Sequence, residues 1–419
     1  MQSSRACQKL SLGSVQPQPR GMPMNIVSDP FKDTKSSKPK PGSYEWWYFD
    51  ALDEESGLGV VVIFFDGNPF STRYIEALEK QTHAQASGYP AVSISVYEHG
   101  KTLFYSFEEV DPSQASFSSM SCEGNVGNNR FLGEVREGRW SYELILEQTL
   151  ASGEHFSGQF RFDAKAVAML DETREDERDS FLHAWNLVMP AGQMSGEMRL
   201  SGPNSFSRTM NGVGYHDHNT GLEPMKDSFQ EWYWGRFHVK DQTFLFYLMH
   251  EQGHWSHKAW WIRDDGAMEP FEGTIELQDL QRNGFGLASA RKIVGSGDHH
   301  QFTIQLDKVL DNGPYYQRFR GRLIAGGTGA STSNSSFAGA SSGDVSNMDA
   351  ASISEQDNRS FIPVDDGYDS LVTATGICEY IRPGRIYSRT FWPLVKMRIR
   401  YPGKPHWVQK SQRLYRWTW

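Results

Sequence analysis

The chain divides into short runs rich in β-branched and aromatic residues, separated by Gly, Asn and Asp turns. "SYEWWYFDALD", "GVVVIFFDG", "AVSISVYEHGKTLFYSF", "RWSYELILEQTL", "HFSGQFRF", "HAWNLVMP" and "GEMRLSG" fill the first half. "EWYWGRFHVKDQTFLFYLMHE", "SHKAWWIRDD", "GTIELQDL", "HQFTIQLDKVL" and "YYQRFRGRLIAG" continue the series. No segment carries a long apolar stripe at helical period. Many short strands with turn residues between them predict an all-β protein built of barrels or sandwiches. The polar "EESGLG" between the first two runs predicts a hairpin.

At 419 residues the chain exceeds one ordinary core, since domains hold roughly 100–200 residues. Residues 1–40, rich in Ser, Pro, Gln and Lys, read as a flexible tail, with order beginning near "PGSYEWWYFDALD". The Gly/Ser/Ala stretch 326–357 reads as a disordered insert, and "DETREDERDS" as a charged surface loop. Strand-like sequence resumes after the insert, so the boundary is placed near residue 223, dividing 41–223 from 224–419.

Aromatic residues make up 13% of the chain, which is ample to line a cavity for an apolar ligand. The net charge of −9 argues against a nucleic-acid partner. A basic C-terminal stretch (Lys396, Arg398, Arg400, Lys404, Lys410, Arg413, Arg416) is interleaved with Trp407, Tyr415, Trp417 and Trp419. It reads first as a solvated strand edge and second as a peripheral membrane contact. Cys7, Cys122 and Cys378 lack disulfide-framework or metal spacing and fit a reducing compartment. With no apolar leader segment and no apolar run of spanning length, a cytoplasmic location is expected, with membrane association left open.

"NGVGYHDHNTG" concentrates polar chemistry at residues 211–221. In an extended strand Tyr215, Asp217 and Asn219 share one face, and His216 and His218 share the other. The two histidines could ligate a metal if a third ligand joined them. Alternatively Asp217, enclosed by rings, loses solvation of its anion and remains protonated near neutral pH, able to protonate even a carbon–carbon double bond. An ordinary polar turn is the third reading. In "LHAWN", His183 and Trp185 again share a strand face. A histidine there can orient an acid or a water, and an indole can face a carbocation.

"EWWYFDA", "HAW", "GYHDHN" and "EWYWGRF", in this order, resemble the carotenoid 1,2-hydratase (hydroxyneurosporene synthase) family. Its wider superfamily includes AttH-like proteins and fungal kievitone hydratase. The resemblance runs from about residue 41 to the C-terminus, excluding the Gly/Ser insert. It implies two lipocalin-like β domains with the site in an apolar cavity near their junction. It also implies addition of water to a terminal isoprenoid double bond by a hydro-lyase without metal or organic cofactor. Carried over, the functional residues are His183, Trp185, Tyr215 and Asp217. Asp217 would be the proton donor, His183 and Tyr215 would position acid or water, and Trp185 would shape the cavity and stabilise the cation. Asn219, His216 and His218 are expected to contact a hydrophobic substrate, with Trp232, Tyr233 and Trp234 enclosing the cation. Histidine at 216 and 218 and Thr220 in place of an aromatic depart from the family pattern and bear on the substrate more than on the chemistry.

Three other activities fit parts of this pattern. An internal alkene could capture the cation before water, making the same acid a terpenoid cyclase. A Diels–Alderase-like pericyclase would work by orientation alone, and a carrier would need the cavity without the acid.

Overall fold

In a computed structural model the described residues are 16–17, 24–38, 40–81, 84–165, 170–171, 182–251, 253–298, 300–327, 371–403 and 405–419. All of "DETREDERDS" after Asp171, and nearly all of the Gly/Ser insert, lie outside them. Two antiparallel-rich sheets dominate, and the all-β expectation is borne out. The first contains β1 (Met24–Ser28), β2 (Tyr44–Asp53), β3 (Leu58–Phe65), β4 (Ala91–Glu98), β5 (Lys101–Glu109), β6 (Ala115–Phe117) and β7 (Glu123–Val126). It continues through β8 (Asn129–Arg136), β9 (Arg139–Thr149), β10 (His155–Ala164), β11 (His183–Ser201) and β12 (Phe206–Gly221). Its spatial order is β5-β4-β3-β2-β12-β11-β10-β9-β8-β7-β6. The second sheet holds β13 (Glu231–Val239), β14 (Gln242–Glu251), β15 (His254–Arg263), β16 (Gly273–Gln278), β17 (Lys292–Gly297), β18 (His300–Asn312), β19 (Tyr316–Gly327) and β20 (Val372–Ile381). Its order is β15-β14-β13-β20-β19-β18-β17-β16.

Local sequence accounts for much of this. The expected hairpin joins β2 to β3, with Gly57 at φ 68° in its turn, a conformation that suits glycine. "HAWNLVMP" and "GEMRLSG" form one strand of 19 residues instead of two. Pairing irregularities near Met189 bend β11, as bulges do, so the curvature needs no break between the two runs.

Order begins earlier than composition suggested, which corrects the flexible tail over residues 24–38, while 1–15 and 18–23 lie outside the described residues. β1 pairs in parallel with His183–Asn186 of β11. The Ser28 hydroxyl donates to the Leu187 carbonyl at 2.6 Å, and a short 3-10 turn over Pro30–Lys32 follows. The tail composition hid a five-residue β run, "MNIVS", that completes a neighbour's ladder.

The basic C-terminus is also not a strand edge. It forms helices over Trp392–Arg398 and Gln412–Trp417, joined through a two-residue strand, Ile399–Arg400, that pairs with β5. The end of the chain thus returns to the first sheet. Arg398 pairs with Asp311 at 2.7 Å, Arg416 with Glu154 at 2.9 Å, and Arg400 with Glu108. These partners are distant in sequence, which is why local pattern missed the arrangement. No helix among the described residues is long and apolar enough to cross a membrane.

Residues of both sheets share the larger core, including Trp185 and Tyr215 from the first sheet and Trp234, Leu245, Tyr247 and Ile377 from the second. The opposite face of the second sheet closes on a separate core around Phe237, Phe244, Phe246, Ile275, Ile304 and Phe319. Buried charge also joins the sheets. Arg236 of β13 donates through Nε to Asp50 of β2 at 2.7 Å, and Arg318 of β19 reaches the Tyr97 hydroxyl of β4 at 2.8 Å. Truncating Arg236 to Ala should cost about 3–5 kcal/mol, because Asp50 would remain buried without its cation. Urea denaturation with an Asp50→Asn/Arg236→Ala double variant recovering part of the loss is the expected outcome.

Candidate active site

The alternation of β12 is the starting point. Opposite it in register, Tyr44, Trp46, Tyr48 and Asp50 of β2 face Gly221, Asn219, Asp217 and Tyr215. On the other side Trp185 pairs with Asn219, and His183 with Gly221. One sheet face therefore gathers three strands' worth of polar aromatic side chains. Gly221 is needed at its position, since a Cβ there would stand 2.1 Å from the Tyr44 ring. That ring crosses over the glycine, and its hydroxyl meets His183 Nδ1 at 3.0 Å.

Asp217 is 4% exposed and lies at the centre. Its Oδ2 accepts from the Tyr215 hydroxyl at 2.7 Å and from Trp185 Nε1 at 2.8 Å. Its Oδ1 accepts from the Asn219 amide at 2.9 Å. Burial, which disfavours the anion, raises its pKa to about 7 against the opposing hydrogen bonds from Trp185 and Tyr215. The nearby charges of Glu379 and Asp50 act in the same direction as burial. His183 is lowered to about 3 by burial, with the Asn219 amide acting weakly against the shift, so its ring is neutral at physiological pH. Its Nε2 has no hydrogen bond of good geometry among the described residues.

The second sheet closes over this face with rings. Tyr247 and Trp260 lie 5.2 and 6.0 Å from Trp185, and Trp234 lies 5.2 Å from Tyr215. Phe229, in the connection between the sheets, meets His183 edge-on at 5.1 Å and Trp232 at 5.4 Å. Tyr48 packs edge-on against Trp234 at 5.1 Å.

His183, Trp185, Tyr215, Asp217 and Asn219 thus come together, with Trp232 and Trp234 in the surrounding wall. Tyr233 does not join them. It points to the opposite face of β13, packs in the second core and accepts from the Ala290 N–H at 2.7 Å. His216 and His218 also face away from Asp217, correcting their expected substrate contact. His216 stacks on Phe49 at 3.9 Å, and His218 on Trp47 at 4.4 Å. His216 lies between the Tyr48 carbonyl and Asp33 Oδ2, each at 2.9 Å. His218 donates through Nε2 to Glu45 at 2.9 Å, and its Nδ1 stands 3.1 Å from Asp33 Oδ1 as an ion pair. Burial opposes the charge on His218, but these two carboxylates prevail and raise its pKa to about 9. Both nitrogens of each ring are engaged by protein atoms, and no three-ligand cluster occurs among the described residues.

Sequence reasoning missed Tyr44, Tyr48 and Asp50, although the alternation within "EWWYFDA" held that signal. Tyr247 and Trp260 arrive from the second sheet and had no local signal. Asp33 lay in the stretch assigned to the tail.

Comparison with known proteins supplies a family context. A family model described as carotenoid hydratase CrtC matches residues 144–333, which include His183, Trp185, Tyr215 and Asp217. A hydroxyneurosporene dehydrogenase of Chlorobaculum tepidum is 27% identical over 321 residues, 72% of this chain and 82% of that protein. An acyclic carotenoid 1,2-hydratase of Thiocapsa roseopersicina is 24% identical over 208 residues, 49% of this chain. The chain spans about half the length of that hydratase, 47%. A crystal structure of an AttH protein from Nitrosomonas europaea superposes with a TM-score of 0.54 at 12% identity, covering 88% of this chain and 99% of that one, and speaks for the fold alone. The expected resemblance to carotenoid hydratases is borne out, over strands that carry His183, Trp185, Tyr215 and Asp217.

Proposed function

We propose that the protein hydrates a carbon–carbon double bond of a hydrophobic, carotenoid-like isoprenoid, with Asp217 as proton donor. The observation that carries this reading is a buried carboxyl held by Tyr215, Trp185 and Asn219 within a wall of rings. Two donors converge on Oδ2, so the acidic proton belongs on Oδ1, which takes a single hydrogen bond. The alkene π pair takes that proton and a C–H bond forms, leaving a tertiary cation. Trp185, Trp234, Tyr247 and Trp260 present ring faces and edges to such a charge, worth up to about 2 kcal/mol for each desolvated face. A water then gives a lone pair to the cation and returns one proton to the Asp217 carboxylate, yielding a tertiary alcohol. His183, neutral and oriented by Tyr44 through Nδ1, has Nε2 available to hold that water. Exclusion of stray solvent by the aromatic wall protects the cation. A lipid surface would supply such a substrate, with Trp407 and Trp417, 64% and 78% exposed and close in sequence to Lys410 and Arg413, as its contacts.

Asp217→Asn should lower the turnover of an acyclic isoprenoid by about 10²–10⁴-fold, and in D₂O the wild type should place deuterium on the carbon beside the new alcohol. Product without solvent deuterium would refute protonation. Activity that survives Asp217→Asn would favour a pericyclase, and a cyclic product would identify a cyclase. Ligand binding without turnover in the wild type would identify a carrier.

Activity should also fall as pH rises through about 7, the pKa of the buried acid. Stability follows the same group. Its folded pKa is raised from 3.8, so its contribution is complete below that value and is lost as pH rises through about 7. Asparagine does not ionise. Asp217→Asn should therefore melt at a higher temperature than wild type at pH 8, with the difference shrinking toward pH 4 in differential scanning calorimetry.

A further inference from the structure

A second buried carboxyl shares the strand face that closes over Asp217. Leu245, Tyr247 and Met249 of β14 belong to the core between the sheets, while Phe244, Phe246 and Leu248 belong to the other core. Register with β15 runs unbroken to the pair Glu251–His254, so Glu251 continues the face of Tyr247 and Met249. It is 2% exposed, and neither carboxyl oxygen has a hydrogen-bond partner among the described residues. Tyr247 lies between the two acids: its ring packs at 5.2 Å from Trp185, and its hydroxyl feels the charges of both Glu251 and Asp217.

A buried carboxyl without a partner is costly, and the hydratase reading assigns it no step. Burial raises its pKa to about 7, which makes the protonated, hydrogen-bond-donating form accessible at neutral pH. Met249 and Tyr247 follow Glu251 on that face, and Tyr247 packs on Trp185, which donates to Asp217. The arrangement suits a ligand that is apolar along its length and carries one oxygen at its far end.

We propose that Glu251 binds an oxygen function, a hydroxyl or carbonyl, at the end of the isoprenoid remote from the reacting double bond. The inference rests on the hydratase reading and narrows its substrate class from plain hydrocarbons to oxygen-bearing isoprenoids. Four residues of strand separate Glu251 from Tyr247, about 13 Å at the usual rise. The oxygen and the reacting alkene therefore stand a few isoprene units apart. Glu251 acts here as a specificity-determining residue, while the acid chemistry stays with Asp217.

The test is a binding titration by tryptophan fluorescence, using geranylgeraniol and the hydrocarbon of the same skeleton lacking the hydroxyl. The full chain is compared as wild type, Glu251→Gln, Glu251→Leu and Asp217→Asn. Wild type should bind the alcohol about tenfold or more tightly than the hydrocarbon, the loss expected for an unmade buried hydrogen bond. Glu251→Gln should keep most of that preference, because an amide also donates to oxygen. Glu251→Leu should abolish it while leaving hydrocarbon binding intact and raising the melting temperature. Asp217→Asn should keep the preference. Equal binding of the two ligands by wild type, a preference that survives Glu251→Leu, or no binding of either would overturn the inference. Failure to hydrate the bound alcohol, with the preference present, would count against the hydratase reading alone.

Discussion

Asp50 and Arg236 form an ion pair with almost no exposure to water, one partner on each sheet. Neither sheet can bury its charged residue alone, because an uncompensated charge in an apolar interior costs several kcal/mol. Burial pushes the Asp50 pKa upward even with the guanidinium beside it. The pair therefore ties the apposition of the sheets to a specific register, and nearby Arg318, paired with Glu379 within the second sheet, reaches across to the Tyr97 hydroxyl of the first. Apposition then creates the environment of Asp217. Its rings come from both sheets, and the charge of Asp50 contributes to the upward shift of its pKa.

β12 serves two buried environments at once. Its odd-numbered residues from Tyr215 to Asn219 meet at the Asp217 carboxyl, and its even-numbered histidines make a buried network with Asp33 and Glu45. On the second face the Tyr142 hydroxyl and Cys122 thiol also donate to Asp33. Burial opposes ionisation of that carboxyl, yet His216 and His218 hold its pKa well below the usual range. The two faces show the same residue class in opposite states. Asp33, surrounded by donors and cations, stays ionised, while Asp217, surrounded by rings and carboxylates, is held near neutrality. A strand register fixed by polar pairs on one face also limits drift of the acid on the other, because a one-residue slip would exchange the faces.

The strands themselves were legible where their own side chains alternate, and the hairpin of β2 and β3 where a glycine turn lies between two apolar runs. Errors arose where a segment depends on a distant partner. "MNIVS" is too short to announce a strand by composition, and it becomes one only because β11 offers a free ladder edge. The C-terminal arginines are spaced as in a solvated edge, but Asp311, Glu108 and Glu154 hold them in place.

For the site, alternation within "GYHDHN" was enough to separate Tyr215, Asp217 and Asn219 from His216 and His218, since side chains of a strand must point to opposite faces. Alternation could not say which face would be apolar and which would be a salt-bridged network. That depended on Asp33 and Glu45 folding against one side and the second sheet covering the other. The sequence by itself determined which residues share a strand face and so meet at Asp217. Only the tertiary structure decided their protonation, because desolvation and neighbouring charge are properties of what packs around a residue, not of the strand that carries it.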